Sequence, residues 1–415
     1  MFPDLKNTKS ILTWLICLAY TGLFFPLIVS NLTLFVLLAF ALVKTKPREL
    51  LATIKENAFS KIILALYFVQ VLGLLYTSNF KVGLFLLEKK ASLLLIPLFV
   101  LPLLQKSNAD IQLLFRRIGL ITLSSSVMLV LLATFNKYIL HDSQAFFYER
   151  FTSIHYVYYA IYFACGSLFF IDAWYDSLIK KKYGVLILIL LFTYSLGVMI
   201  FVASKTGIMA FALASVVLLY KKIPNKKLFS LTVASLVVVA SGLFYFNPTA
   251  RSRFTGLDKH LSFLTLDDWR DTEIIVTDLN MRLVFWKISI VNLWRDHLIF
   301  TGVGTGDAQD YINNLYALPQ YQLYGFINWD SHNQWIFALI QLGLVGIGVL
   351  LLLFGKYFLM ALAQNDFKLL CFLIVTLAFS LSESILESNK GIVFFAILFT
   401  CLAAAYRKNS PVSVV

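Results

Sequence analysis

The chain has 415 residues, of which 60% are hydrophobic and only 14% charged, with a formal net charge of +13. A soluble domain carries roughly 25% charged residues, so this composition, with a mean hydropathy of +0.81, excludes an ordinary water-soluble fold. The positive excess does not point to nucleic acid, because it falls in short clusters between apolar runs: Lys44, Lys46 and Arg48; Lys180, Lys181 and Lys182; Lys221, Lys222, Lys226 and Lys227; Arg407 and Lys408. That distribution is the positive-inside pattern of cytoplasmic loops.

In chain order, apolar runs predict helices near 10–24, 27–43, 58–77, 84–104, 113–134, 154–174, 184–203, 205–220, 228–246, 334–357, 367–385 and 390–406, the first two separate or one bent segment. A span needs about 20 apolar residues, and backbone in lipid must close its own hydrogen bonds. The expectation is an all-α integral membrane protein of about twelve transmembrane helices, one polytopic domain over 1–415. With the N-terminus inside, every basic cluster falls on the cytoplasmic face. No cleavable signal peptide, internal repeat or separate soluble domain is evident. Cys17, Cys165, Cys371 and Cys401 lie inside predicted helices without metal or disulfide spacing and read as small core residues.

Two longer segments, 135–153 and 247–333, are left on the outer face. The second holds seven Lys or Arg against ten Asp or Glu, so it is not basic, and a segment of that length is usually functional. Within 280–300, Leu283, Trp286, Ile290, Leu293 and Trp294 recur at helical spacing. They predict an amphipathic helix that lies on the membrane or caps the bundle. The string TGVGTGD at 301–307 has the form G-x-G-x-G but no preceding strand, so it is read as a tight turn and not a dinucleotide site.

Ionisable side chains at the mouth of a helix bundle are candidates for function because they are costly there. His332, at the junction of the long segment and the next helix, titrates near neutrality and suits a general base; a bland interfacial residue between capping Ser331 and Asn333 is the alternative. Arg282 and Lys205 suit a lipid-linked phosphate or pyrophosphate, or snorkel to headgroups. Lys89 and Lys90 add charge to such a site, or pair locally with Glu88. Glu383 and Glu387, one helical turn apart, position a basic group or an acceptor hydroxyl, or pair with Arg282 and Lys390. His155 opens a helix whose Tyr156, Tyr158 and Tyr159 fit an aromatic interface belt.

Three stretches taken together, ASKTGIMAFALASVVLLY (203–220), NMRLVFWKISIVNLWRDHLIFTGVGTGDAQ (280–309) and SHNQWIFALIQLGLVGIG (331–348), resemble the bacterial O-antigen ligase/polymerase family over about 150 residues. The resemblance lies in an Arg-x-x-x-Trp stretch (Arg282 to Trp286), the G-x-G-x-G turn (Gly302 to Gly306), then His332 and Asn333 before a helix with Gly343 and Gly346. It implies a GT-C-like glycosyltransferase of the bacterial inner membrane with a large periplasmic loop at 247–333. Such an enzyme moves a glycan from undecaprenyl pyrophosphate to lipid A–core on the periplasmic face, without metal or other cofactor. By the resemblance, His332 is the base or positioner of the acceptor hydroxyl, with Asn333, Glu383, Glu387 and His155 as further acceptor-positioning candidates. Arg282 holds the pyrophosphate together with Lys205, Lys89 and Lys90. Lys205 stands where the family usually has arginine, which keeps the charge but loses the bidentate geometry. The rival readings are an O-antigen or exopolysaccharide polymerase, a protein O-oligosaccharyltransferase and, from a different class, a flippase or transporter.

Overall fold

The computed structural model of the chain describes residues 5–141, 154–202, 204–246, 278–318 and 326–409. Part of the 135–153 segment, at 142–153, and parts of the 247–333 segment, at 247–277 and 319–325, lie outside the described residues, as does Ala203 of the ASKTG turn.

Each of the twelve apolar runs expected to be helical contains a helix. The elements are α1 (Leu5–Gly22), α2 (Leu27–Lys44), α3 (Pro47–Glu56), α4 (Ala58–Gly73) with a 3-10 turn at Leu74–Tyr76, α5 (Phe80–Lys106), α6 (Ile111–Tyr138), α7 (Tyr156–Leu178), α8 (Gly184–Val202), α9 (Lys205–Lys222), α10 (Lys226–Phe246), α11 (Asp278–Arg295), α12 (Ala308–Tyr316), α13 (Gln334–Ala363), α14 (Phe367–Ser380) and α15 (Asn389–Asn409). Among the described residues, seven helices are long and apolar enough to cross a membrane: α2, α4 with its 3-10 turn, α6, α7, α8, α13 and α15. The other helices over apolar runs are α1, α5, α9, α10 and α14; of these, α5 carries Glu88, Lys89 and Lys90 in mid-helix, and α14 has only 14 residues. The chain is thus a multi-pass membrane protein. α1 and α2 are two helices, separated by Pro26, whose ring fixes φ and supplies no N–H.

α15 runs through the middle of the bundle, with Ile392, Val393, Phe394, Phe395, Ala396, Leu398 and Phe399 all at 0% exposure. A helix apolar all round belongs in the interior. The four cysteines are buried and free, as small core residues.

The two ends of the bundle differ. At one end the basic clusters close the short turns: Lys222 pairs with Asp176 at 2.7 Å, Lys106 with Glu49 at 2.6 Å, and Lys221 donates to the Asn365 carbonyl at 2.8 Å. Helix α3, which the apolar pattern did not predict, lies here. Pro47 at its first turn and Glu49, whose carboxylate accepts from the Lys46 N–H, start it.

The opposite end carries a second apolar core, built by α11, α12 and the start of α13 from residues that include Val284, Phe285, Ile288, Ile312, Tyr316, Phe337 and Ile340. α11 therefore caps the bundle. Its packed face differs from the one expected: Val284, Phe285, Ile288 and Leu293 are buried, whereas Ile290 is 40% and Trp294 67% exposed. The rotation follows from Phe285, which is gripped by Tyr316 and Phe326 with ring centroids 4.9 Å away in each case. Helix α12, also unforeseen, supplies Tyr316.

The G-x-G-x-G turn joins cap to bundle. Gly302 and Gly304 have φ of +70° and +104°, a region glycine reaches without steric cost. A Cβ on Gly302 would lie 2.5 Å from the Leu342 nitrogen, and one on Gly304 2.9 Å from the Thr77 Cα. The close backbone passage read from the sequence is thus present. Its target is α13, which breaks at Gly343 (φ +61°). There Val303 N–H donates to Ile340 O, Gly304 N–H to Gln341 O, and Leu344 N–H to Ile299 O. Asp307 fastens the other side by accepting from the N–H groups of Ser78 and Asn79 at 2.6 and 2.7 Å.

Candidate active site

The site lies at the capped end, away from the basic clusters. Its centre is Glu383, which the sequence places with Glu387 in the turn before the last helix. Helix α14 ends at Ser380, five residues before the expected boundary, and the serine-rich stretch that follows closes as a turn, with the Ser382 and Glu383 N–H groups both donating to Phe379 O. The two glutamates consequently diverge, each toward its own cation.

Glu383 serves two partners. Its Oε1 accepts from the Arg282 guanidinium at 2.7 Å, and its Oε2 meets His332 Nδ1 at 3.1 Å. The Arg282 Nε–H donates to Ser382 O at 3.0 Å. Arg282 and His332, 50 residues apart in sequence, are thus joined through one carboxylate of the turn after α14. Glu387 is held by Lys90, Nζ to Oε1 2.7 Å, with side-chain exposures of 4% and 10%. The partner of Lys90 is Glu387 and not Glu88, and the partner of Glu387 is Lys90 and not Lys390. The Lys390 ammonium donates to the carbonyls of Gly22, Leu23 and Phe25, closing the C-terminal end of α1.

His332 is tightly framed. Its φ is +45°, uncommon for a side-chain-bearing residue and worth about 1–3 kcal/mol of strain. The structure holds it there through Asp330, whose carboxylate accepts from the His332 N–H at 2.9 Å. Phe285 stacks on the imidazole at 6.2 Å and 18°, and Trp329 lies 5.7 Å away. Trp286, from the Arg-x-x-x-Trp stretch, donates to Ser331 O at 3.0 Å. Asn333 is the α13 N-cap: its Oδ1 accepts from Trp335 N–H and Ile336 N–H, and its Nδ2 donates to Leu381 O at 3.0 Å. Its amide is spent on fixing the junction that His332 sits on.

Burial works against protonation of His332, but the hydrogen bond to Glu383 and the charges of Asp330 and Glu383 outweigh it, with Arg282 opposing, so the imidazole pKa is raised above its ordinary value. Burial alone would raise the Glu383 pKa; the His332 hydrogen bond and the Arg282, His332 and His155 charges overcome it and bring it below the usual carboxylate value.

A cavity of about 660 Å³ opens on this centre, and its wall includes Lys89, His155, Tyr158, Trp329, Asp330, His332, Glu383, Glu387 and Lys390. His155 precedes α7 and packs on Tyr156 with ring centroids 4.5 Å apart. Lys205 opens α9, whose N-cap Ser204 accepts from Gly207 N–H. The next residue, Thr206, donates to Ser382 Oγ at 2.8 Å, so the α9 N-terminus meets the same turn as Arg282. Neither Arg282 nor Lys205 is among the lining residues; Arg282 stands behind Glu383, and Lys89 is the expected cation that reaches the wall while Lys90 is buried at 3% exposure. Asp330 and Ser382 escaped the sequence reading. Only the position of Asp330, two residues before His332, marked it.

The arrangement can hold an imidazole in one tautomer through a carboxylate on Nδ1, leaving Nε2 for a hydroxyl. Residues 183–351 match the family model described as O-antigen ligase. That stretch contains Lys205, Arg282, His332 and Asn333, while Glu383 and Glu387 lie beyond it. No curated protein matches the chain.

Proposed function

We propose that this chain, a member of the O-antigen ligase/polymerase family, transfers a glycan from a lipid-pyrophosphate carrier to an acceptor hydroxyl in the cavity beside His332. The observation that carries the reading is the sharing of Glu383 between His332 and Arg282 at the mouth of that cavity. In the reaction, His332 Nε2 takes the proton of the acceptor hydroxyl while its oxygen bonds the anomeric carbon of the donor. The bond from that carbon to the pyrophosphate oxygen breaks, and its electron pair leaves with the diphosphate. Glu383 keeps the imidazole in the useful tautomer and stabilises the imidazolium that forms. Lys89 in the wall meets the growing negative charge, and Arg282, with Lys205 at the positive end of α9, adds potential at the same edge. Lys90 acts one step back, by fixing Glu387. Among the acceptor-positioning candidates, His155 and Glu387 share the cavity with His332, and Asn333 acts through the helix cap.

The basic clusters at the far end favour a cytoplasmic location for that end. The active site then faces the periplasm from a bacterial inner membrane, with 247–333 as a periplasmic loop on a GT-C-like bundle of about twelve spans. The donor we favour is an undecaprenyl-pyrophosphate-linked glycan and the acceptor lipid A–core; a lipid-linked repeat as acceptor, which would make the enzyme a polymerase, uses the same machinery.

The test is deletion of the gene in its host, followed by complementation with wild type or His332→Ala and electrophoresis of the surface polysaccharide. Loss of all capped chains with accumulation of lipid-linked polymer identifies a ligase, and a single repeat on the core identifies a polymerase. His332→Ala is expected to insert normally and to restore nothing. Full complementation by it, or an unchanged profile on deletion, overturns the proposal.

A further inference from the structure

Two spans reach the same level on the capped side. α4 with its 3-10 turn is 19 residues long, and at its end Tyr76 donates to Thr301 O at 2.6 Å while Gly73 O accepts from Thr305 N–H. In α13, Phe337, Leu339, Ile340 and Leu342 are buried, and large exposed apolar side chains begin with Leu344 and Val345, just past the bend at Gly343. From there 344–363 supply roughly 20 residues of helix, about 30 Å, the thickness of a bilayer's hydrocarbon core. Residues 299–305 are hydrogen-bonded to both helices at these points, so the edge of the hydrocarbon on the capped side runs through this turn.

That level explains the side of α11 that the cap leaves unpacked. Ile290, Val291 and Trp294 share one helical face, Phe300 follows at the turn, and all four are exposed, Phe300 to 66%. Phe300 adjoins the bend itself: a Cβ on Gly343 would lie 2.3 Å from its carbonyl carbon, and the neighbouring Ile299 O accepts from Leu344 N–H. The turn is therefore flanked by Leu344 and Val345 of α13 and, through Tyr76, by the α4–α5 corner with Leu75 and Phe80, all of them exposed. The apolar surface runs without a break from two helices of the bundle onto the cap. Its aromatic residues, Trp294, Phe300, Tyr76 and Phe80, gather at the rim, where Trp and Tyr are enriched at a membrane–water interface. Continuity with the surface of the spans makes lipid the occupant.

We propose that the exposed face of α11 and Phe300 form a membrane-docking surface, seated among the lipid glycerols and upper acyl chains of the leaflet on the capped side. An amphipathic helix with Trp and aliphatic residues on one face binds at that depth. α11 then has two jobs: its packed side builds the cap and brings Arg282 to Glu383, and its other side ties the cap to the bilayer. The part of α13 above the bend, 334–342, is about 14 Å of helix and sets how far His332 stands from the lipid edge. The docking needs no substrate and is independent of the transferase reading.

The test uses full-length protein in phospholipid nanodiscs. Val291→Cys, Trp294→Cys and Phe300→Cys each receive a nitroxide, with the parent protein, whose own cysteines are buried, as the labelling control. Leu352→Cys on the exposed side of α13 and Asn314→Cys on the exposed side of α12 serve as the lipid and water references. Collision of each label with oxygen, which partitions into lipid, is compared with collision with a water-soluble nickel chelate. Labels at 291, 294 and 300 should favour oxygen, as Leu352→Cys does, and Asn314→Cys should favour nickel. Nickel preference at the three sites overturns the docking by placing them in water. Shielding from both reagents overturns it as well, by showing that a second copy or another protein covers the face. The unaltered protein gives an independent check: a phospholipid with a diazirine near the glycerol end of one acyl chain, photolysed in the nanodisc, should mark Trp294 and Phe300. Adducts on the spans with none at 290–300 would also overturn it. Neither readout involves transfer, so either failure leaves the proposed reaction untouched.

Discussion

The two ends of this bundle put their buried charges to different uses. At the basic end Asp172 holds Lys368 and Lys222 inside, with side-chain exposures of 10%, 14% and 20%, beside exposed pairs such as Lys106–Glu49 at 43% and 24%. Exposed pairs contribute about 0–1 kcal/mol. At the capped end the inner pairs are Lys90–Glu387, at 4% and 10%, and Arg282–Glu383, at 17% and 12%. Removing one partner of a buried pair typically costs about 3–5 kcal/mol. The charges of the basic end close helices on one another. Those of the capped end surround a strained histidine at a cavity, an arrangement that folding alone does not need.

That contrast can be broken at several points. Beyond the loss of His332 itself, the largest effect is expected from Glu383→Gln, which takes the shared acceptor from both Arg282 and His332. Transfer should fall on the order of 100-fold, the lower range of general-base contributions, while His332 stays in place. The variant also tests the electrostatics. Turnover needs neutral imidazole, so wild-type kcat should climb with pH through the raised His332 pKa. Glu383→Gln removes the main cause of that rise, and the climb should move to lower pH; an unmoved profile would detach Glu383 from the titrating group. Stability follows the opposite sign. The imidazolium–carboxylate contribution is complete below the ordinary histidine pKa and is lost as pH rises through the raised value. The contribution of Glu383 is present above the ordinary glutamate pKa and is lost as pH falls through its lowered one. Thermal melts should therefore fall away on both sides of that window, and Glu383→Gln should flatten them.

A smaller effect is expected at the rim. Lys205→Ala should weaken donor use about tenfold through lost positive charge near the diphosphate, whereas Lys205→Arg should match wild type. Equal KM for the donor in all three forms would leave Lys205 as an anchor to lipid headgroups. The smallest effect belongs to the other end: Lys106→Ala should leave transfer untouched and change stability by less than about 1 kcal/mol. A strong loss of activity there would show that the two ends are coupled, contrary to the contrast drawn from their ion pairs.

The helices were readable because each is a long apolar run, and lipid leaves such a run one way to satisfy its backbone. α3 and α12 were not, since ten and nine residues of mixed polarity produce no such run; Pro47 and Glu49 held the only local sign of α3. In the site, position and resemblance marked His332 and Arg282, and pairing of Glu383 with Arg282 was one reading of the turn. The bond from Glu383 to His332 was not legible, because it depends on where α14 stops, and the apolar pattern carried that helix five residues too far. Asp330 was missed for a related reason: its role is to hold a backbone conformation, which no spacing rule reports.

The break at Gly343 has a consequence for how the protein can be assembled. A straight α13 would satisfy its own amides, but the bent one hands the carbonyls of Ile340 and Gln341 and the N–H of Leu344 to residues 299–304. Those groups sit where water is scarce, so the curved helix and the 299–304 segment are obligatory companions. Neither could be exchanged for a relative's version without the other, and a chimera that transplants that segment alone should insert into the bilayer yet fail to acquire its final shape.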